Sequence, residues 1–255
     1  MAGFRRFSLV VAVLVILAGC SGMPAGTPST TTAESSTNAS QSLDPGVDPL
    51  YSTPLNATDV AIEHTVGLRE AGSFTYTSVV SIGDTNGSAT YQVERTANVA
   101  MDTGTVLVHR NTTGIQQESV YSTGNGTTYL RTETSTGGIS YNTSNTSIDT
   151  ARYAIDGVPD FLNTFNFSYD GAMTAHDQRV YRYSAVGTEN VVSPRRLTGQ
   201  AGGNLTDIRA YADVTESGIV TRLGYNLTFE TGQGAHVVDA ETTYSSLGSA
   251  TVERP

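Results

Sequence analysis

The stretch Ile219–Glu230, IVTRLGYNLTFE, carries the clearest β-strand signal in the chain. Apolar and polar side chains alternate along it, which is the period of a strand with one buried face. The side chains expected on the buried face are Ile219, Leu223, Tyr225, Leu227 and Phe229. Those expected on the solvent face are Arg222, Asn226, Thr228 and Glu230. The stretch therefore predicts an antiparallel sheet with one face against a core and the other in water.

The same alternation predicts further strands on both sides of this stretch, with turn residues between them. In the first of these strands the alternating residues are Phe74, Tyr76, Ser78, Val80 and Ile82, and the turn 84–87, DTNG, follows. The other predicted strands are Tyr91–Met101, Thr105–Arg110, Gln116–Tyr121, Thr127–Glu133, Ile139–Asn142, Arg179–Val186, Asp207–Thr215, His236–Tyr244 and a last short one at Thr251–Arg254. A loop is expected over Gly187–Gly203. The regular spacing of turns indicates an antiparallel meander.

Helices are predicted at two places. The first begins near Asn56 or Thr58, either of which can cap it, and ends at Gly72. Its apolar stripe consists of Ala57, Val60, Ala61, His64, Leu68 and Ala71, and we interpret His64 as a core residue rather than a ligand. In the middle of the chain, Ser147–Ile155 favours a short helix, and a second one begins at Pro159 and presents an apolar ridge within Val158–Phe165. The predicted fold class is therefore α+β, mostly β, with a curved antiparallel sheet packed on one or two helices.

Composition limits the function classes. All 14 basic residues are arginine, against 24 acidic residues, which gives a net charge of −10. Nucleic-acid binding requires basic patches, so this class is excluded. An acidic, lysine-free chain resembles proteins from haloarchaea, because carboxylates retain hydration at molar salt, where charge repulsion is screened.

The N-terminus indicates export and lipid attachment. Arg5 and Arg6 precede an apolar stretch from Phe7 to Ala18, which is shorter than the roughly 20 residues of a membrane span. The run 17–20, LAGC, resembles the lipobox of prokaryotic lipoproteins, and Cys20 is the single cysteine of the chain. The alternative is ordinary cleavage that leaves a spare thiol. We expect a signal peptide over residues 1–19, a lipid anchor on Cys20 and a location on the outer face of the cell membrane.

Low-complexity sequence separates this signal from the folded part. Residues 20–53 are rich in Ser, Thr, Pro and Gly, which predicts a disordered tether, and residues 54–255 are expected to form one β-rich domain. N-glycosylation sequons are dense, and those considered as acceptors begin at Asn86, Asn111, Asn125, Asn142, Asn204 and Asn226. A chain rich in Asn and Thr also produces such sequons by chance.

No catalytic or metal-binding motif is present in the sequence. The four histidines, His64, His109, His176 and His236, do not stand in a metal-ligand spacing, and no nucleophile elbow or phosphate-binding loop occurs. We therefore predict that the protein is not an enzyme and uses no cofactor or metal.

The order of these elements resembles that of uncharacterised haloarchaeal lipoproteins with a LolA/LppX-like lipoprotein carrier domain. Besides the lipobox, the resemblance rests on three short sequence segments: 127–131 TTYLR, 212–218 ADVTESG and 252–255 VERP. The resemblance implies an incomplete barrel around helices with an apolar cavity for acyl chains, which the N-terminal helix and the Val158–Phe165 segment would plug or cover. The implied lining is Phe74, Tyr76, Val80, Phe161, Leu162, Phe165, Leu223, Tyr225, Leu227 and Phe229.

Two functions follow as hypotheses. The first is a membrane-anchored lipoprotein that binds or carries a lipid or another apolar ligand. The second is a ligand-free structural or interaction module of the cell envelope, whose protein partners the sequence does not identify. The strands such as 132–136, TETST, are polar and only 8% of residues are aromatic, which favours a small cavity or a filled core.

Overall fold

The computed structural model describes residues 42–85, 89–155, 157–175, 178–194, 197, 203–232 and 234–254. Within these ranges the chain forms eleven strands, three α-helices with described bounds, one short 3₁₀-helix, Thr188–Asn190, and helical backbone at Pro194 and Leu197. The strands are β1 (Ser73–Asp84), β2 (Ala89–Ala100), β3 (Thr105–Thr112), β4 (Gln116–Ser122), β5 (Thr128–Thr134), β6 (Ile139–Ser144), β7 (Ser168–Ala175), β8 (Gln178–Val186), β9 (Asn204–Thr215), β10 (Val220–Thr231) and β11 (Gly234–Ser245). The α-helices are α1 (Ala57–Ala71), α2 (Ala151–Ile155) and α3 (Val158–Leu162).

All eleven strands belong to one curved antiparallel sheet, which is not closed into a barrel. Its order is β6-β5-β4-β3-β2-β1-β11-β10-β9-β8-β7. The chain runs outward from β1 to β6, crosses through α2 and α3 to β7 at the opposite edge, and returns strand by strand until β11 pairs with β1. The predicted fold class is confirmed.

Helix α1 forms for local reasons that the sequence contains. The Asn56 side chain accepts from the backbone N–H groups of Thr58 and Asp59, so Asn56 is the N-cap. Gly72, at φ 76°, ends the helix in a conformation that favours glycine. Between these caps the apolar stripe buries Val60 and Leu68 completely against the sheet.

The three helices lie on one side of the sheet, which we call the inner face. His64 of α1 contacts the ring of Tyr244 on β11, with ring centroids 4.5 Å apart, and Tyr153 of α2 contacts Tyr76 on β1 at 5.9 Å. Residues of β1 and β10 that point to this face alternate with those that point away, as the sequence predicted. The opposite side, which carries no helix among the described residues, is the outer face.

Three local predictions are corrected by the structure. Thr251–Arg254 is not a strand. In this C-terminal segment the Arg254 guanidinium lies 4.3 Å from the centre of the Tyr129 ring. The helix expected over Ser147–Ile155 is shorter and spans Ala151–Ile155. The ridge within Val158–Phe165 is helical only to Leu162, and Phe165 forms a β-bridge with Val191.

Strand β7 was not predicted, because Asp170-Gly171 resembles a turn. In the structure Gly171 lies at a register shift between β7 and β8, at φ 138°. Asp44 pairs with the neighbouring Ala172 through two backbone hydrogen bonds of 2.7 and 3.0 Å, and a Cβ on Gly171 would lie 2.9 Å from the Asp44 carbonyl oxygen. Glycine therefore permits the close approach of Asp44 to this edge.

The folded region begins before the predicted boundary at residue 54. Asp44 pairs with β7, and Val47, Leu50 and Tyr51 pack against the core. The Tyr51 N–H donates to the Tyr183 hydroxyl at 2.8 Å. Residues 20–41 of the predicted tether lie outside the described residues, as do the signal segment and Cys20.

His64 is fully buried, which makes its protonation unfavourable. Its Nδ1 accepts from the Val220 N–H at 3.1 Å, and burial lowers the pKa of the imidazole from 6.5 to about 4. Below pH 6.5 the unfolded chain binds a proton at His64 that the folded chain does not. The contribution of neutral His64 to the free energy of unfolding is therefore fully present at neutral pH. It falls by up to about 3 kcal/mol as the pH drops from 6.5 to 4.

Urea denaturation at pH 7, 6, 5 and 4 checks this expectation. His64→Gln keeps an acceptor for Val220 and removes the titrating group, so its stability should fall less over this range. The carboxylates titrate in both proteins and act as an internal control. An identical pH dependence in the two proteins would show that His64 does not contribute.

Candidate ligand site on the inner face

The structure divides the ten predicted lining residues into two groups. Seven are buried core residues with at most 5% of their surface exposed: Phe74, Tyr76, Leu162, Phe165, Leu223, Leu227 and Phe229. Three, Val80, Phe161 and Tyr225, pack on the core but remain partly accessible. A ligand could contact these three directly, whereas the other seven lie in the buried core against which the three pack.

The accessible apolar residues continue across the middle of the sheet. Tyr225 of β10 is paired with Ala240 of β11, Ala240 with Val80 of β1, and Val80 with Val93 of β2. Residues directly opposite in antiparallel strands point to the same face, so these four form one line across the inner face. Each is half-buried although it lies on a central strand. We call Tyr225, Ala240, Val80 and Val93 the apolar row.

An aromatic cluster closes one end of the apolar row. Phe161 of α3 is stacked on Tyr225, with ring centroids 6.3 Å apart and an angle of 21° between the planes. Phe165 and Phe167 contact Phe161 at 5.2 and 6.0 Å. Burial raises the pKa of the Tyr225 hydroxyl to about 12, so this hydroxyl stays neutral over the physiological range.

A polar row runs parallel to the apolar row on the same face. Ser78 of β1 is paired with Arg95 of β2, Arg95 with Arg110 of β3, and Arg110 with Glu118 of β4. Ser78 lies two residues from Val80 of the apolar row, and Arg95 lies two residues from Val93, about 7 Å along the strand. The inner face therefore places the Arg95 side chain beside the half-buried Val93, with Arg110 on the next strand.

Helix α2 holds the first of these arginines. The Arg95 Nη2 donates to the Tyr153 hydroxyl at 2.8 Å, and its guanidinium carbon lies 4.8 Å from the centre of the Tyr153 ring. The Arg110 Nη1 lies 3.6 Å from the Glu118 Oε2, and both side chains are partly exposed. The sequence predictions did not include these arginines. Arg95 lies an even number of residues from Tyr91, Val93, Ala97 and Val99. The alternation of this strand could therefore have placed the Arg95 side chain on the inner face.

The outer face carries a different, ion-paired surface. Arg182 forms a bidentate pair with Asp213, with both N–O distances 2.7 Å, and Glu241 accepts from Tyr211 and Arg222. Tyr211 also lies directly over Gly224, where a Cβ would collide with its ring. Burial and the hydrogen bond to Glu241 raise the pKa of Tyr211 well above its usual value.

Beside this network lies a groove of about 380 Å³, whose lining includes Arg209, Tyr211, Asn226 and Asp239, and Tyr225 and Ala240 of the apolar row also contribute to it. The Asn226 Nδ2 donates to the Asp239 Oδ1 at 2.6 Å. Most of the polar groups here are hydrogen-bonded to one another. We therefore assign a structural role to the network.

The predicted glycosylation sites differ in their surroundings. Asn111, Asn125, Asn142 and Asn204 are exposed, whereas Asn226 is half-buried and hydrogen-bonded to Asp239. Asn86 lies outside the described residues. Use of these sequons remains a prediction.

Within the described ranges, no group of three or more His, Cys, Asp or Glu residues could hold a metal ion. His64 is buried, His109 contacts the Ser119 hydroxyl at 3.0 Å, and His176 lies outside these ranges. In the same part of the chain, no helix combines the length and apolar character that a membrane span requires.

Comparison with curated proteins finds no match. Among solved structures, LprF from Mycobacterium bovis is similar with 15% identity and a TM-score of 0.40, covering 80% of this chain and 98% of LprF. Mycobacterium tuberculosis lipoprotein LppX is similar with 11% identity and a TM-score of 0.31, covering 76% and 98% of the two chains. A LolA superfamily protein from Nitrosomonas europaea follows with 10% identity and a TM-score of 0.26, covering 79% and 96%.

All three TM-scores are below 0.5, so these similarities carry no conclusion about function. The family comparison covers nearly the whole sequence. The model of DUF7537, described as a family of unknown function, matches residues 5–255. The chain therefore belongs to the DUF7537 family.

Proposed function

We propose that this protein binds an apolar or amphiphilic ligand, such as a lipid, on the inner face of its open sheet. The observation that carries the proposal is the apolar row. Its four side chains lie on the central strands β10, β11, β1 and β2, where a filled core would bury them, yet each remains half-buried. Partly exposed apolar surface is a common property of ligand sites.

The aromatic cluster supports the same proposal. Phe161 belongs to a five-residue helix and contacts the sheet through Tyr225. So short a helix has little stability of its own and depends on such packing. A small displacement of Phe161 would expose more of the apolar row, so α3 is suited to cover a bound chain.

We further propose that the domain is held on the outer face of the cell membrane by a lipid on Cys20. The lipobox-like run at residues 17–20 supports this anchor, and two attached chains would provide stable membrane residence. The lysine-free acidic composition suits a salt-rich exterior of the kind in which haloarchaea live. A carrier of apolar ligands in this place would be close to the membrane that supplies them.

Titration with diphenylhexatriene, a neutral probe that fluoresces in apolar sites, tests the proposed binding. The full chain should bind it saturably, and Phe161→Glu should weaken binding by about tenfold, because a carboxylate at the row disfavours apolar contact. Phe161→Leu should retain binding. Ile139→Glu, at an exposed position on β6, is the matched control and should leave binding unchanged.

Two outcomes would contradict the proposal. The first is the absence of saturable binding to the full chain. The second is equal loss in Phe161→Glu and Ile139→Glu, which would indicate general adsorption to exposed apolar side chains. Thermal denaturation of each variant verifies that it is folded at the titration temperature.

One observation favours the alternative of an interaction module. All six residues of β6, at the edge of the sheet, are exposed, and none is charged or proline. Such an edge can pair with a strand of another chain. The opposite edge, β7, is covered by the bridge from Asp44. Light scattering of the full chain and of Tyr141→Pro would detect pairing of two copies through β6; a monomer in both cases removes self-association through this edge.

A further inference from the structure

Arg95 and Arg110 form a like-charged pair on the inner face. They are directly opposite each other in β2 and β3, and both belong to the face on which the buried Ser78 lies. Cβ atoms of such partners are about 5 Å apart, and like charges at this separation destabilise a sheet. A chain with 24 acidic residues offers many carboxylates that could have separated them. Their juxtaposition therefore needs a physical reason.

A third arginine adds to this charge. The Arg152 guanidinium lies 5.1 Å from the centre of the Tyr153 ring, the same ring against which Arg95 is packed. Arg95 and Arg152 therefore both pack on Tyr153 of α2, and Arg110 lies directly opposite Arg95 in the sheet. We call these three residues the arginine cluster.

The described carboxylates neutralise the cluster only in part. Glu118 contacts Arg110 through one 3.6 Å approach, which is long for a strong ion pair. Asp149 precedes α2 and accepts from the Ala151 N–H at 3.0 Å, so its carboxylate caps the helix. No ion pair joins Arg95 or Arg152 to a carboxylate in the part of the chain that the structure describes. Positive charge thus accumulates locally on an acidic protein.

The cluster adjoins the apolar row. Val93 and Arg95 are two residues apart on β2, on the same face, and Val80 has the same relation to Ser78 on β1. An apolar chain lying over Val80 and Val93 would therefore end beside Arg95 and Arg110. Both guanidiniums present planar arrays of donors, the geometry that binds phosphate and carboxylate oxygens.

We propose that the arginine cluster binds the anionic head group of an amphiphile whose apolar chain occupies the apolar row. This inference rests on the proposed function and names the class of ligand as anionic, with a phosphate as the best-matched head group. Arg95 and Arg110 supply the charge-assisted hydrogen bonds. Tyr153 fixes the Arg95 guanidinium through its hydroxyl and ring, so little order is lost on binding.

Isothermal titration of the full chain with three probes tests the inference. These are lauroyl lysophosphatidic acid, its neutral counterpart monolauroylglycerol, and inorganic phosphate. The anionic amphiphile should bind at least about tenfold more tightly than the neutral one, as expected for charged hydrogen bonds. Arg95→Gln and Arg110→Gln should remove most of this preference and leave the affinity for monolauroylglycerol nearly unchanged.

Matched variants separate charge from structure. Arg110→Lys keeps the cation and should retain part of the preference. Arg131→Gln, on the outer face of β5 where the arginine pairs with Glu133, should retain all of it. If Arg95→Gln does not fold, the half-exposed Arg110 provides the decisive comparison.

The remaining outcomes have distinct meanings. Equal binding of the two amphiphiles would overturn the head-group site and leave the proposed function standing. Binding of inorganic phosphate as tight as that of the anionic amphiphile would show a free-anion site and overturn the assignment to an amphiphile. If neither amphiphile binds, the proposed function fails and the head-group site fails with it.

Discussion

Arg182→Ala is expected to destabilise the fold by about 3–5 kcal/mol, because it leaves the Asp213 carboxylate buried without its cationic partner. Only 4% of the Asp213 side chain is exposed, and both of its oxygens accept hydrogen bonds from Arg182. The two residues are directly opposite in β8 and β9. The hydrogen bond to the Asp213 carboxylate and its negative charge raise the pKa of Arg182 in spite of burial, which lowers it, so the guanidinium stays charged.

Arg179→Ala is the matched control, since Arg179 lies on the same strand and pairs with Glu216. Both side chains of that pair are more than half exposed, at 52% and 59%, and exposed pairs contribute at most about 1 kcal/mol. Thermal or urea denaturation measures both variants. Replacing both partners, in Arg182→Ala/Asp213→Ala, should recover part of the loss. Equal stability of Arg182→Ala and Arg179→Ala would contradict this account of the outer face.

Cys20→Ser is expected to move the protein from the membrane fraction to the soluble fraction. The thiol is the only one in the chain, and a hydroxyl cannot carry the thioether-linked lipid. The two acyl or isoprenoid chains proposed on Cys20 would contribute about 0.8 kcal/mol per buried CH₂, so their loss would remove nearly all membrane affinity. Fractionation by ultracentrifugation, followed by intact mass measurement, provides the readout.

Ser21→Ala keeps the thiol at the same place and should remain with the membrane. A Cys20→Ser protein that also stays with the membrane would show that another segment is the anchor. Since the inner-face site does not involve Cys20, ligand binding by the soluble variant should be unchanged.

The sheet could be predicted from the sequence because strand alternation is a local property. Ile219–Glu230 corresponds to β10 within one residue at each end, and Phe74–Ile82 lies inside β1. Strand β7 was missed because Gly171, which permits a contact with a distant segment, has the local appearance of a turn. The prediction of a short strand at Thr251–Arg254 was wrong because alternation cannot show whether a partner strand is present.

The candidate site was only partly predictable. Val80, Phe161 and Tyr225 were chosen for their apolar character, and the same criterion chose Phe74 and Leu227, which the structure buries. Periodicity identifies the face of a strand but not how completely helices cover that face. The juxtaposition of Arg95 and Arg110 depends on the register between β2 and β3, which the sequence of either strand does not contain.

Native mass spectrometry measures directly whether the protein carries a bound ligand. The full chain carrying Cys20→Ser, purified from its own host, cannot hold a thioether-linked lipid, so any amphiphile that dissociates on mild activation was bound non-covalently. We predict one such amphiphile per chain, with an anionic head group, and its loss in Phe161→Glu. A chain that shows only its own covalent mass under the gentlest conditions would contradict the claim.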